Sequence, residues 1–383
     1  SEMCIRDRMR IVFWQNCLSP HLLPFIVHLM DDDRVDEVVV CAAEDVSTDR
    51  KEMGWSVGQY EGLDRCKLFV NPDNTTINAL LKEREEDSWH WFSGIRAYAF
   101  VFKCLKMSLQ YNLNRGMISE RPNTYDFKHN RPNAKPYWIH RLRFWIQDRK
   151  FAKHIKMVFA MGQEAVNYFS SLGMGWKVLP FCYCTEPAKA GAKPFQADRL
   201  LQYLYCGSLS ARKDPLTIAR ALSLLSHKFK GGVKFIGDGP MRTKLEEYVA
   251  NNNLNGVIEL LGTKPQTEVP SYMQQADVLI LPSIYDGWGA VVNEALQAGC
   301  YVICSDACGA SDLLKSEKRL GRVFRRGDAG MLASCMEWCN GHIDEMRADR
   351  AFRTKWCEEH INGKAVAHYF VGHFTGDDSC RLW

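Results

Sequence analysis

Short apolar runs separated by polar stretches with helical spacing recur along most of the chain. Arg10–Trp14, Glu37–Ala42, Lys67–Val70, Ser88–Phe92, Met117–Glu120 and Met157–Met161 each read as a strand, most of them of the kind a parallel sheet buries on both faces. A loop over Gln15–Ser19 leads to a helix opened by Pro20, and Gly94–Leu109 reads as the helix after the fourth run. The segment Thr185–Asp198, rich in Pro, Ala, Gly and Lys, interrupts this rhythm as a linker would. A cleaner series follows, with strands expected at Leu201–Cys206, Val233–Gly237, Val257–Leu261, Asp277–Pro282 and Tyr301–Ser305. Helices are expected at Pro215–His227, Pro240–Asn251, Thr267–Gln275 and Gly289–Ala298. Strand and helix alternating in this way predict an α/β protein of two Rossmann-like, doubly wound parallel-sheet domains. The expected boundaries are an appendage over 1–8, a first domain over 9–184, a linker over 185–198, a second domain over 199–347 and a tail over 348–383.

Composition changes this picture little. At 383 residues the chain is long enough for two cores, and its 46% hydrophobic content and mean hydropathy of −0.28 suit a water-soluble protein. A net charge of +4 does not by itself argue for nucleic acid, and none is expected as a partner. The fifteen cysteines are odd in number and include no C-x-x-C pair, so free thiols in a reducing cytosol are expected rather than a disulfide framework or a zinc site. Arg6, Arg8 and Arg10 precede an apolar stretch too short for a signal peptide, and no run of about 20 apolar residues is present to span a bilayer. These features predict a cytoplasmic location.

The chemistry is concentrated in Pro282–Ala295, which reads as a strand end, a glycine-spaced turn and a helix start. Gly287 and Gly289 bracket Trp288, allowing a sharp bend and a close backbone approach to a ligand. Free N–H groups of the following helix favour an anion or a hydroxyl-rich ligand. Asp286 and Glu294 flank the turn. Asp286 reads equally as a helix N-cap, and Glu294 equally as a half-exposed helix residue.

The Asp286-Gly287-Trp288-Gly289 and Glu294-Ala295 pattern resembles the E-x7-E motif of retaining glycosyltransferases of the GT-B fold, in particular glycosyltransferase family 4. Asp286 replaces the usual Glu and Trp288 the usual Phe. The resemblance implies that two domains face a central cleft, that Glu294 holds the ribose of a sugar nucleotide, and that Asp286 with the backbone of Gly287, Trp288 and Gly289 faces the donor sugar. It extends to Gly207, Ser208, Arg212 and Lys213, where the family places an Arg and a Lys on the donor diphosphate; Ser208 stands in the Arg position. Gly237, Gly239 and Gly262 match two further turns near the nucleotide. The match is good over about 201–324 and loose before it. There the family's glycine-rich first loop is replaced by Asn16–His21, and His90 aligns with a donor-sugar-contacting histidine. The tail would cross back onto the first domain.

The implied activity is transfer of a sugar from a nucleoside diphosphate to an acceptor hydroxyl with retention, in polysaccharide or glycolipid assembly. Lys213, Asp286, Glu294 and His90 would be catalytic, and no cofactor or metal is expected. An inactive relative that binds sugar nucleotides is the alternative. A glycosidase is disfavoured because eight helical residues rise about 12 Å, and a dehydrogenase because no G-x-G-x-x-G follows a strand. The acceptor would be a saccharide or a lipid-linked sugar. Residues 121–156 hold ten Lys/Arg against two Asp, a local charge of +8 interleaved with aromatics. That mixture suits the anionic inner face of a membrane, and equally a solvated helix with a buried aromatic face.

Overall fold

The computed structural model describes residues 8–46, 60–122, 125–126, 131–132, 137–186, 195, 199–225, 229–377 and 379–383. The chain forms two compact units. The first takes Ser1–Pro122, Lys135–Cys184 and Asn362–Leu382, and the second Asn123–Ala134, Thr185–Ile361 and Trp383.

The first unit is built on seven strands: β1 (Met9–Cys17), β2 (Val35–Glu44), β3 (Lys67–Val70), β4 (Ser88–Phe92), β5 (Asn114–Ser119), β6 (Met157–Met161) and β7 (Lys177–Phe181). They lie in the order β3-β2-β1-β4-β5-β6-β7, and every pairing is parallel. Central strands are apolar on both faces, as in Ile11–Trp14 and Val38–Ala42, because helices cover the sheet on each side. Among the exceptions is Arg10, fully buried at the start of β1. It is held by Glu37, by Glu83 at 2.9 Å and by the Leu80 carbonyl at 2.8 Å.

The second unit repeats the plan with β8 (Leu201–Cys206), β9 (Gly231–Ile236), β10 (Ile258–Leu260), β11 (Val278–Leu281), β12 (Tyr301–Ser305) and β13 (Gly321–Phe324). The order is β10-β9-β8-β11-β12-β13, again all parallel. Tyr203, Tyr205, Val233, Phe235, Val278 and Ile280 supply the sheet's share of the core, and Ile218, Leu222 and Leu245 pack on it from the helices. In both units the strand order reverses beside the first strand. In the second unit this switch point lies between β8 and β11, the place where open α/β sheets receive ligands.

Two strands of these two sheets were not anticipated from sequence, β7 and β13. Both are short edge strands, where Pro180 and Arg322 are tolerated because one side of the ladder is open. The expected helix over Gly94–Leu109 is formed over Ala99–Ser108, and that over Gly289–Ala298 over Val291–Gln297. Helix Arg350–His360 stays with the second unit. Its Arg350 donates to the Gln274, Ala276 and Ala298 carbonyls at 2.8–2.9 Å, satisfying helix C-termini that end there. The chain joins the first unit at Asn362, where helix Gly363–Thr375 lays Phe370 against Trp91 and Phe159. Every described cysteine is a free thiol, and no helix among the described residues is long and apolar enough to cross a membrane. The expected appendage lies outside the described residues except for Arg8, and so does most of the expected linker.

Candidate functional site

The carboxyl ends of β8, β9 and β10 open into three turns that are stitched side by side. Gly207 donates its N–H to the Ile236 carbonyl at 3.0 Å, Leu209 to Asp238 at 2.9 Å, and Gly237 to Gly262 at 2.9 Å. A Cβ on Gly237 would fall 2.0 Å from the Gly207 carbonyl oxygen, so the two turns close up only because position 237 has no side chain. Within the first turn Lys213 and Asp214 donate back to the Ser210 carbonyl, and Asp214 adopts a left-handed φ of 48°.

This curl brings Arg212 and Lys213 to the loop after β11. Ile284 donates its N–H to the Arg212 carbonyl at 2.8 Å, and the Arg212 guanidinium donates to the Tyr285 carbonyl at 3.1 Å. The Lys213 Nζ lies 2.5 Å from Asp286 Oδ2, and Arg212 Nη1 lies 3.8 Å from the same oxygen. Neighbouring residues seldom aim alike, yet here both cations converge on one carboxylate across the switch point. Asp286 is therefore not a helix cap. The N-cap of Val291–Gln297 is Ala290, whose methyl group cannot accept a capping hydrogen bond.

The turn after Asp286 is held by a second loop. Asp286 donates to Ala307 at 3.2 Å, Gly309 to Asp286 at 3.3 Å, and Ala310 to Trp288 at 2.8 Å. Trp288 is buried, and its indole N–H donates to Asn293 Oδ1 at 2.8 Å, so Trp288 offers its backbone rather than its ring. Gly289 takes a φ of 95°. Sequence reasoning missed both Asn293 and Gly309. The signal at Gly309 is steric: a Cβ there would sit 2.4 Å from the Gly287 carbonyl oxygen.

Glu294 follows on the helix. Its side chain keeps some surface open while its carboxyl lies deep, and burial pushes the carboxyl up to about 7 against the opposing pull of Lys213. Cys206, at the end of β8, senses the same groups. Burial pushes its thiol up to about 12, Glu294 adds to the rise and Lys213 opposes it, which keeps it a neutral thiol. Ser208, where the family carries Arg, hydrogen-bonds Ser210 at 3.1 Å and accepts from the Tyr205 hydroxyl at 2.7 Å. It shapes the turn and brings no charge.

His90 is placed elsewhere, in the first unit's core. It is fully buried on β4; its Nδ1 accepts from the Trp14 indole N–H at 3.1 Å and its Nε2 lies 3.1 Å from the Ser88 hydroxyl. Burial, with Arg10 and Arg115 nearby, lowers its pKa to about 3, so it is a neutral imidazole with both nitrogens engaged. Among the described residues one group of potential metal ligands comes together, His368, Asp377 and Cys380, with ligand atoms within 4.8 Å. It lies in the tail of the first unit, and burial followed by Asp377 raises the Cys380 thiol, which disfavours the thiolate a metal requires.

Two Rossmann-like parallel-sheet units in one chain are the GT-B plan. The chain superimposes on the Anabaena HepE protein crystallised with UDP, with a TM-score of 0.67 over 96% of this chain and 100% of that one, at 14% identity. Residues 192–340, within the second unit, match the family of glycosyl transferases group 1. The amylovoran biosynthesis glycosyltransferase AmsK of Erwinia amylovora is 30% identical over 181 residues, 44% of each protein. The colanic acid biosynthesis glycosyltransferase WcaL of Escherichia coli (a putative assignment) is 27% identical over 161 residues, 39% of this chain and 37% of that one. The chain thus spans less than half the length of these curated relatives, and the family match over residues 192–340 includes the site.

Proposed function

We propose that this protein transfers a glycosyl group from a nucleoside diphosphate sugar to an acceptor hydroxyl, with retention of configuration and without a metal ion. The observation that carries this reading is the pairing of Lys213 with Asp286 across the β8–β11 switch point, with Arg212 and Glu294 beside it. Two adjacent cations at strand carboxyl ends suit a diphosphate, and a deep carboxyl beside them suits a vicinal diol. HepE has also been crystallised with UDP-glucose, which supports a nucleotide-sugar donor of that type. The relatives named for amylovoran and colanic acid biosynthesis support a role in cell-surface polysaccharide assembly.

In this mechanism the donor diphosphate takes over the Lys213 ammonium from Asp286. Charge develops on the diphosphate as the glycosidic bond breaks, and Lys213 and Arg212 stabilise it there. The leaving diphosphate oxygen accepts the proton of the attacking hydroxyl, so no separate protein base is needed. Glu294 holds the ribose, while Asp286 and the backbone of 287–289 orient the sugar. His90 takes no part, because both its ring nitrogens already serve the core.

A lipid-linked acceptor, or simple residence at an anionic membrane face, is supported by the helical segment 137–152. Trp138, Leu142, Trp145 and Ile146 are 62%, 52%, 41% and 70% exposed, among exposed Arg141, Arg143, Arg149 and Lys150. Apolar side chains that insert and cations that meet phosphates are what an interfacial helix presents. Arg121 does not join this face; it is buried against Glu164. Phe127, Lys128 and Lys135 of the expected basic stretch lie outside the described residues.

A thermal-shift screen against nucleoside diphosphates and their sugars tests the reading. Ligand at about 100 times its Kd adds about 2.7 kcal/mol to stability, a rise of several degrees in Tm, and the rise is expected to persist in EDTA. No shift with any member of the series would overturn the proposal.

A further inference from the structure

The second unit holds a cavity of about 400 Å³ at the amino end of its sheet, away from the strand carboxyl ends that carry Lys213 and Asp286. Tyr301 opens β12 and Gly321 opens β13, and both line it. Its volume falls within the roughly 300–1,000 Å³ of small-molecule sites and greatly exceeds one inorganic anion. Part of the wall is apolar, formed by Tyr301, Trp338 and Met346. The rest is charged: Lys318, Arg319, Arg322 and Arg353 against Glu345 and Asp349, four cations less two carboxylates, or +2.

That charge is not neutralised from within. Arg353 is buried, and among the described residues its guanidinium hydrogen-bonds to backbone carbonyls, those of Gly299 at 2.9 Å, Arg319 at 3.1 Å and Met346, and to no carboxylate. Arg319 is drawn to Glu317, outside the cavity, at 3.0 Å. Arg322 lies over the Trp338 ring with its guanidinium carbon 3.9 Å from the centroid. Its Nε is buried and has no hydrogen-bond partner among the described residues. Lys318 is exposed and pairs with no carboxylate among the described residues. A buried donor without an acceptor is costly, and a bound acceptor relieves it.

We infer that this cavity binds a small organic phosphate monoester, the phosphate meeting Arg322 and Lys318 and the organic body lying against Tyr301 and Met346. Arg322 and Lys318, neither of them paired with a carboxylate among the described residues, favour a dianion over a monocarboxylate, and the guanidinium fork matches phosphate oxygens. This site is separate from the donor site and does not depend on the glycosyltransferase reading.

Phenyl phosphate titrated by calorimetry at pH 8 provides the test. One molecule is expected to bind per chain, with sodium benzoate weaker. Binding is expected to survive both saturating UDP and the Lys213→Ala substitution, and to weaken at least about tenfold, a loss of about 1.4 kcal/mol, in Arg322→Gln. Lys318→Gln, which removes no internal partner and so spares the fold, should weaken it in the same direction. Absence of binding to the wild type, displacement by UDP, or indifference to both the Arg322 and Lys318 substitutions would overturn the inference.

Discussion

Glu294 links charge, stability and ligand at a single residue. Burial pushes its carboxyl up to about 7, above the ordinary range of a free glutamate, so between the two the folded protein holds a proton that the unfolded chain has lost. Its contribution to stability is therefore largest below that window and falls as pH rises through it. Donor binding should run the other way if Glu294 meets the ribose as proposed, because a charged carboxylate is the form that would accept two hydroxyls. Between pH 6 and pH 8 the affinity for UDP is expected to rise by up to about tenfold more in the wild type than in Glu294→Gln. Equal pH slopes in the two proteins would remove Glu294 from the ribose contact. At this scale the sequence reported residue types well and partners poorly. Asp286 and Glu294 stood out by motif, yet the pairing of Lys213 with Asp286 spans 73 positions and depends on the curl of residues 207–214. His90 matched a family position in the linear text, but the pleat of β4 turns it to Trp14 and Ser88.

At the scale of elements, the site is a set of turns that fit one another before any ligand arrives. The hydrogen bonds from Gly207 to Ile236 and from Gly237 to Gly262 make the loops after β8, β9 and β10 one body. Gly237→Ala would place a methyl group 2.0 Å from a backbone oxygen at a residue whose φ is 129°. The two turns must then separate, and a loss of about 1–3 kcal/mol is expected from overpacking and backbone strain. A urea unfolding curve reads this directly; an unchanged midpoint would mean that the turns do not need their close approach. Strands with continuous apolar runs were legible because both their faces are buried. The edge strands β7 and β13 were not, since Pro180 and Arg322 disguise them. Helix Asn74–Lys82 was overlooked although Asp73 caps it through the Thr76 N–H at 2.8 Å.

For the molecule as a whole, a net charge of +4 conceals the local +8 of residues 121–156, and the described part of that stretch is the most conspicuously apolar exposed helix in the first unit. Vesicles of phosphatidylglycerol and phosphatidylcholine are expected to sediment the protein, and pure phosphatidylcholine to leave it in solution. Trp138→Ser with Ile146→Ser should reduce the bound fraction several-fold by removing exposed apolar anchors; undiminished sedimentation of that variant would exclude this face as the contact. Two Rossmann-like units were legible because the strand–helix rhythm simply occurs twice, interrupted at Thr185–Asp198. The return of the chain to the first unit at Asn362 has no comparable compositional mark.

On the proposed function, the β8–β11 switch point holds a donor diphosphate on Lys213. Single-turnover measurement of UDP release from UDP-glucose, in wild type and Lys213→Ala, tests it most directly. A loss of about 10²–10³-fold in the rate is expected with the fold intact, as for one preorganised donor removed from a developing charge. A Lys213→Ala protein that releases UDP as fast as the wild type would contradict it.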